Sequence, residues 1–515
     1  MFDRNYTSNN GGAGTGYSLA SFLLGYPNQV QRDIVDTYPN VRRNFWGVFA
    51  QDDFRVSSKL SLQLGLRWDL ITPPVEASNR QSNFSLADGL IHVASADNRG
   101  PNWNTHYDYF APRLGLAYTP DEGRTAVRAA FGISYFADNF GANGGTNERN
   151  YPFFQEVNLV TPTTFTPFRS VSDGLPAFGS VALSPTLTPP AGFAVFYIPD
   201  HFREDKATMW NVGVQRQLGW NTMADVSYVG TRGTNIFRSY NIDVPDPGPG
   251  AVQPRRPYNA IAPTITTINM RDGDGKSWYD ALQAKLDKRF SHGLQMLVSY
   301  TYSKTEDNIT PAGIAPQLAD VRMPSRSKAL DIPHIFVVSW TYELPVGPGH
   351  RVAPNSSGVV KALVEGWAVS GITNYHSGDP LDIRVSSSQL NNGTGSNGNW
   401  PDVTCGSIGT PHSVDKWFDT GCFADPAQYK FGNYVIGDVR GPTVFNTDVS
   451  AAKRTMIGTK TVEVRLDVFN LFNRAHFANP GVSNTGATFG TAAFGTISST
   501  RLPPREAQLG FRVLF

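Results

Sequence analysis

Two cysteines, Cys405 and Cys422, are the residues of this sequence best suited to covalent chemistry. Both fall in one long stretch between predicted strands. In a protein that passes through an oxidising compartment, such a pair forms a disulfide. The bond would stiffen a modest loop by ~3 kcal/mol at most. Two free thiols are the alternative, and too few further ligands lie nearby for a metal site.

The stretch Gly273-Asp274-Gly275-Lys276-Ser277 resembles the end of a phosphate-binding loop. The complete pattern requires a glycine five residues before Gly275, where this sequence has Met270. Asp272 and Asp274 could contribute to a calcium loop, but such a loop needs more oxygen ligands and a late Glu. We therefore interpret 273–277 as an ordinary loop.

The nine histidines are scattered singly, without an H-E-x-x-H or G-x-S-x-G motif. We accordingly predict no enzyme, no cofactor and no metal site. Lys and Arg (44) balance Asp and Glu (43), so no basic surplus indicates a nucleic-acid partner. Charged residues make up only 17% of the chain, whereas soluble chains have roughly a quarter.

The segments that position these residues alternate between apolar and polar side chains, which is the period of two of a β-strand. At the C-terminus, alternate residues are apolar: Leu509, Phe511, Val513 and Phe515. From Leu60 to Leu70, leucines and Trp68 share one face, while Ser61, Gln63, Arg67 and Asp69 share the other. Such charges would be costly in the dry interior of a β-sandwich. A water-filled barrel lumen accepts them, so the pattern favours a transmembrane β-barrel.

Segments of this kind predict about thirteen strands. They lie near residues 44–56, 59–71, 108–119, 124–136, 207–218, 221–231, 278–290, 293–304, 333–344, 364–376, 443–454, 459–470 and 505–515, with Gln29–Tyr38 as one further candidate. Each is long enough to cross a bilayer when tilted. The connections alternate between short and long, apart from 345–363. The prediction is therefore an all-β, antiparallel, up-and-down barrel with short periplasmic turns and long extracellular loops.

Four tryptophans would then lie at the extracellular ends of their strands. They are Trp46, Trp68, Trp210 and Trp278. Aromatic residues at this level form a girdle where the apolar band meets the headgroups. We predict this girdle, with lipid of a Gram-negative outer membrane as its partner.

Several segments resemble the C-terminal barrel of TonB-dependent receptors, in particular the Oar-like group that bears a carboxypeptidase regulatory domain. They are Ser21–Gly25, Trp46–Val56, Leu60–Asp69, Tyr109–Gly115, Arg465–Asn473 and the last strand. The terminal strand ending in Phe515 looks like the assembly signal that the barrel-assembly machinery of such proteins reads.

The resemblance implies a 22-strand barrel closed by an N-terminal plug, with a TonB box that contacts an inner-membrane energy complex. The sequence before the first strand shows neither a plug, a TonB box nor a signal peptide. We therefore expect residues 1–515 to form the C-terminal portion of the barrel domain, without the plug and the first strands.

The expected function is uptake of a scarce nutrient, such as a carbohydrate, a peptide or a chelated metal. The TonB complex would act through the missing N-terminal region, and the ligand remains open. A stand-alone, porin-like passive channel is one alternative. A barrel for surface adhesion or secretion is another, and a soluble β-sandwich enzyme is the least favoured.

Overall fold

The computed structural model describes most of the chain. The described residues are 1–9, 15–35, 39–96, 104–137, 149–160, 165–167, 169–174, 181–309, 328–394, 398–480 and 488–515.

Thirteen long strands form one antiparallel sheet, which we call the wall. They are Phe45–Arg55, Leu60–Ile71, His106–Tyr118, Thr125–Phe136, Asp205–Leu218, Thr222–Asn241, Thr267–Ser291, Leu294–Asp307, His334–Glu343, Trp367–His376, Val444–Ile457, Lys460–Phe469 and Glu506–Leu514. All thirteen strands of the predicted set are present, and each pairs with its neighbours in chain order. The predicted up-and-down topology of these strands is confirmed.

The register brings apolar residues of neighbouring strands onto one face of the wall. Leu466 lies opposite Leu509 on one side and Ala451 on the other, and Leu282 lies between Tyr228 and Tyr302. This apolar face is exposed, with Leu282 47% accessible and Phe511 71% accessible. Soluble proteins rarely expose so large an apolar surface, whereas a barrel presents it to lipid.

The described helices are short. They comprise Ser18–Leu23 and Gly358–Val364, with 3-10 turns at Asn5–Thr7, Val171–Asp173, Gln253–Arg255 and Thr420–Cys422. None of the helices in the described ranges is long and apolar enough to cross a membrane. Gly358–Val364 occupies the connection that was too long for a simple turn.

The candidate strand Gln29–Tyr38 differs from its prediction. A strand does form at Gln29–Val35, but it pairs with Phe154–Val160 in a separate two-stranded sheet rather than joining the wall. Residues 36–38 lie outside the described residues. The first wall strand is thus Phe45–Arg55, which pairs with one neighbour, as does Glu506–Leu514 at the other edge.

The interpretation of 273–277 as a loop is wrong, because these residues lie inside the 25-residue strand Thr267–Ser291. That strand and Thr222–Asn241 both extend about ten residues further from the short turns than predicted. Their paired extensions contain register shifts around Ile236. Small and charged residues in these extensions obscure the alternation of apolar and polar side chains. The predicted strands therefore ended before the observed ones do.

The described residues of the six long connections build a second region, which we call the loop layer; the connections are 72–105, 137–204, 242–266, 308–333, 377–443 and 470–505. Its short strands are Val75–Glu76, Ser82–Phe84, Ile91–Val93, Phe154–Val160, Thr186–Leu187, Ala194–Tyr197, Arg384–Val385, Asp402–Val403, Phe423–Ala424 and Thr488–Phe489. Val41–Arg42, before the first wall strand, pairs with Val75–Glu76. Two buried apolar clusters hold the layer together. The long connections therefore fold on the wall, at its extracellular side by the usual asymmetry of such barrels.

Candidate ligand site at the mouth of the wall

One apolar cluster organises the connection 377–443, and we call it the Trp400 cluster. Its buried members are Val244, Leu381, Ile383, Trp400, Trp417, Phe418, Cys422, Phe423, Tyr434, Ile436 and Val439. Phe418 contacts Phe423 and Phe494 edge-on, with ring centroids 5.5 and 5.2 Å apart. Since Phe494 comes from 470–505, the cluster fastens two long connections to each other.

Cys405 and Cys422 are joined in the structure, with their Cα atoms 5.2 Å apart, at the edge of this cluster. Cys422 is buried among the aromatic rings, and Cys405 packs against them. Asp419 caps the short turn Thr420–Cys422 by accepting from the backbone N–H of Gly421. The cross-link thus lies where the loop folds back on itself; its formation in the cell stays a prediction.

A cavity of about 800 Å³ opens beneath this connection, and we call it the mouth cavity. It is lined by Ser377, Gly378, Thr410, His412, Trp417, Gly437, Asp438, Arg440, Gly441, Pro442, Thr443, Arg474, Ala475 and Phe477. A few hundred to about 1,000 Å³ suits a small-molecule ligand. The rings of His412 and Trp417 lie 4.7 Å apart and form an aromatic side of the cavity.

Two basic residues of the mouth cavity differ in their surroundings. Arg440 is anchored, because its guanidinium donates to a carboxylate oxygen of Asp331 at 2.5 Å and to the Asp331 carbonyl at 2.7 Å. Arg474 is exposed and lies 5.8 Å from the ring of Phe445, and no carboxylate pairs with it among the described residues. Arg474 is therefore the cation that a ligand in the cavity could engage.

Asp438 supplies the opposite charge. Burial raises the pKa of this carboxyl, while Lys328 Nζ, 3.9 Å away, acts in the other direction. Together with Arg474, Asp438 gives the cavity both signs of charge beside an aromatic wall. Such a lining suits a polar ligand with rings better than a purely apolar one.

His476 lies beside this cavity and is 2% exposed. Neither of its ring nitrogens has a hydrogen-bond partner within the described structure. Burial, reinforced by the positive charge of Arg474, lowers the pKa of this imidazole. The ring is thus held neutral at pH 7, as desolvation of a histidine requires.

A second cavity, of about 610 Å³, lies on the polar face of the wall. Its polar lining residues are Asp287, Gln295, Ser339, Thr341, Ser370, Asp448, Ser450 and Asp467, and the apolar Leu297, Ile372 and Phe469 lie among them. Asp448 accepts from the Asn446 amide and the Asn470 backbone, and Arg465 pairs with Asp467 at 2.9 Å. Carboxylates and hydroxyl groups on this face are typical of a water-filled lumen.

The predicted terminal signal lies on the apolar face of the edge strand. Leu509, Phe511 and Val513 stand opposite Leu466, Val464 and Val462. Phe515 follows the strand, with Lys460 Nζ 4.4 Å from the centre of its ring. These positions are accessible to a partner, and recognition by the assembly machinery stays a prediction.

The four predicted girdle tryptophans occupy the half of the wall next to the loop layer. Trp46 lies opposite Leu70, Trp68 opposite Phe110, Trp210 opposite Gly230, and Trp278 opposite Arg232. The Nε1 of Trp68 donates to the Tyr107 carbonyl. Trp278 lies in the middle of its long strand rather than near the end, because that strand begins at Thr267.

The mouth cavity itself was not predicted. Its residues come from two connections, 377–443 and 470–505, and no spacing in the sequence brings Arg474 beside Trp417. The clustering of aromatic residues between 400 and 434 was the available signal. Among the described residues no group of three or more His, Cys, Asp or Glu could hold a metal ion.

Similar solved structures include the ferripyoverdine receptor of Pseudomonas aeruginosa, with 12% identity, 93% of this chain and 39% of that chain covered, and a TM-score of 0.42. Others are the siderophore receptor PiuA from Acinetobacter baumannii (12%, 92% and 43%, 0.42) and the FrpB iron transporter from Neisseria meningitidis (11%, 92% and 56%, 0.40). The chain thus spans between about two fifths and somewhat over half of these proteins. No curated protein matches it.

A family model gives the assignment. The model of the outer membrane beta barrel domain matches residues 1–508, nearly the whole chain. The wall, with one apolar and one polar face, is the architecture that such a domain requires. The chain belongs to the outer membrane beta barrel domain family, and its location is the outer membrane of Gram-negative bacteria.

Proposed function

We propose that the chain forms the C-terminal part of the barrel of a TonB-dependent outer-membrane transporter of the Oar-like group. In this proposal, residues 1–515 supply thirteen strands of a 22-strand barrel, and the edge strands Phe45–Arg55 and Glu506–Leu514 pair with strands that precede this chain. Unpaired strand edges are unfavourable in lipid, which supports such a completion. TonB would act through an N-terminal region and plug.

The observation that carries the transport function is the pair of cavities. The mouth cavity lies under the loop layer, and the other lies on the polar face of the wall. A solute captured at the mouth would therefore meet a polar path along the lumen. We infer that the cargo is a scarce carbohydrate, peptide or chelated metal, bound first by the groups around Arg474 and Trp417.

Binding to the purified protein in detergent tests the mouth cavity. Arg474→Gln should weaken binding of a captured anionic or polar nutrient by about tenfold, as loss of one charge-assisted hydrogen bond does. Arg351→Gln is the matched control, since Arg351 is exposed in the connection 344–366 on the opposite side of the wall. Equal binding by both variants would contradict a ligand site at the mouth.

Uptake by intact cells tests the energy coupling. A TonB-dependent transporter should lose uptake when a protonophore collapses the inner-membrane potential, although ligand still binds at the surface. A passive channel would continue to pass solute and would conduct ions in a planar bilayer. Conductance without energy dependence would therefore contradict the transporter proposal and favour a porin-like channel.

A further inference from the structure

The connection 344–366 contains the helix Gly358–Val364, which we call the rim helix. More than half of the surface of three of its apolar side chains is exposed: Val359, Val360 and Leu363. At about 100° per residue, these three positions lie within about 100° of one another around the helix axis, and Lys361 lies on the other side. The rim helix is thus amphipathic, and its apolar side is accessible within the described part of the chain.

The strand that follows places the rim helix on the outward side of the wall. Trp367, the first residue of that strand, lies opposite Lys453. The same row of residues continues through Val464 to Phe511, which stands on the exposed apolar face. Ser370, three residues after Trp367, lines the cavity on the polar face instead. Trp367 and Lys453 therefore both point outward.

These two outward side chains hold the end of the rim helix. The indole Nε1 of Trp367 donates to the Leu363 carbonyl at 3.0 Å. The ammonium of Lys453 donates to the Glu365 carbonyl at 2.9 Å and lies 5.7 Å from the centre of the Trp367 ring. Because both donors point away from the lumen, the rim helix is fixed beside the outer surface of the wall rather than across its opening.

The rim helix lies at the level of a membrane surface. Trp367 begins a strand of 10 residues, and a tilted strand needs about 9–11 residues to cross a bilayer. A tryptophan at the end of such a strand is typical of the interface between the apolar band and the headgroups. Since the connection 344–366 lies on the side of the wall opposite to the loop layer, this surface belongs to the periplasmic leaflet.

We propose that the rim helix lies in the phospholipid surface of the periplasmic leaflet. Its three exposed apolar side chains enter the boundary between headgroups and acyl chains, and Lys361 stays in water, with its Nζ 3.9 Å from Glu365. Lipid is the occupant that the geometry selects, because the apolar side chains adjoin the lipid-facing surface of the wall, to which Trp367 fastens the helix. The proposal requires only that the wall lies in the membrane, and it is independent of transport and of the mouth cavity.

Quenching by brominated lipid tests the proposal. Leu363→Cys and Lys361→Cys are each labelled with bimane in a Cys405→Ala/Cys422→Ala background, and the protein is reconstituted into vesicles of phosphatidylethanolamine and phosphatidylglycerol. Brominated phospholipid should quench the label at position 363 about twofold more than the label at position 361, because the apolar side of an interfacial helix lies about 5–10 Å into the boundary between headgroups and acyl chains. The two labels are matched, since they lie on opposite sides of the same helical turn.

Two tryptophan variants test how the rim helix is held. Trp367→Phe removes the indole donor but keeps an aromatic ring, and it should reduce the excess quenching at position 363. Trp340→Phe, on the same face of the neighbouring strand, should leave it unchanged. A retained heat-modifiable gel shift shows that the wall of each variant is folded.

Equal quenching at positions 361 and 363 would overturn the proposal. A label at position 363 whose emission shifts to the blue without quenching by brominated lipid would overturn it as well, because a protein surface, such as a second copy of this chain, would then cover the apolar side of the rim helix.

Discussion

The wall and the loop layer stabilise apolar side chains in opposite ways. On the wall, Val226 and Leu282 are about half exposed and share an apolar face, which is interrupted where Arg232 pairs with Asp280. In the loop layer, Phe418 and Ile265 are fully buried by residues distant in sequence. The wall therefore depends on lipid as its solvent, whereas the loop layer makes a dry interior of its own.

This difference suggests that the two regions can be perturbed separately. The wall is joined by backbone hydrogen bonds between neighbouring strands, which continue regardless of the loops above them. The loop layer depends on a few large side chains such as Trp400 and Phe418. A change that empties one apolar cluster should therefore leave the wall folded.

The largest expected effect follows from Phe418→Ala. Removal of a fully buried Phe costs about 3–5 kcal/mol, because it leaves a cavity as well as losing apolar contact. Amide hydrogen exchange should accelerate throughout 381–439, while the wall retains its heat-modifiable gel shift. Val435→Ala is the control, since Val435 is exposed in the same connection. Loss of the gel shift together with the loops would show that the regions unfold as one unit.

The wall has its own matched pair of substitutions. Val226 lies on the apolar face opposite Val214 and Ala284, and Ser227 lies on the polar face of the same strand. Val226→Arg should destabilise the protein by about 2–4 kcal/mol in urea unfolding from vesicles, the cost of a lipid-facing cation near the midplane. Ser227→Arg should change stability far less. Equal effects would contradict the assignment of the two faces.

The disulfide is expected to matter only to the loop layer. Replacement of Cys405 and Cys422 by alanine should cost up to about 3 kcal/mol of local stability, because the cross-link closes a short loop. Protease should then cleave 377–443 faster, with the wall unchanged. Dithiothreitol should reproduce the effect in the unaltered protein, and no response to it would indicate free thiols.

The sequence predicts the wall well and the loop layer poorly, for physical reasons. A strand such as Leu60–Ile71 is marked by the alternation of its own neighbours, so local sequence is sufficient. The extension of Thr267–Ser291 through Gly273 and Gly275 was missed, because glycines and charges there hide the period of two. Gln29–Val35 was identified as a strand, but its partner could not be identified from its own residues.

The mouth cavity depends on contacts between distant connections. Arg474 and Trp417 are more than fifty residues apart, and no periodic pattern relates them. Cys405 and Cys422 were a visible pair because cysteines are rare in this chain. By contrast, nothing in the sequence indicates that His476 is buried in the loop layer, since the sequence does not distinguish a buried histidine from a solvated one.

Protonation of His476 should have the smallest effect on stability, and this effect should be confined to the connection 470–505. Its pKa is lowered in the folded protein, so the unfolded chain binds a proton more readily below pH 6.5. The stability that the neutral ring contributes is present above pH 6.5 and is lost as the pH falls through the folded pKa. Arg474 opposes protonation and Asp448 favours it. The protection factors of amides in 470–505, which compare each exchange rate with its intrinsic rate at the same pH, should therefore fall between pH 7 and pH 5.

His476→Gln should abolish most of this pH response, because the amide does not titrate in that range. The exposed His350, in the connection 344–366 on the opposite side of the wall, provides the control: His350→Gln should leave the response unchanged. Protection factors in the wall strands should not vary over the same pH interval. A pH response that persists in His476→Gln would assign it to the carboxylates of the loop layer, and the buried imidazole would then have no part in coupling pH to this region.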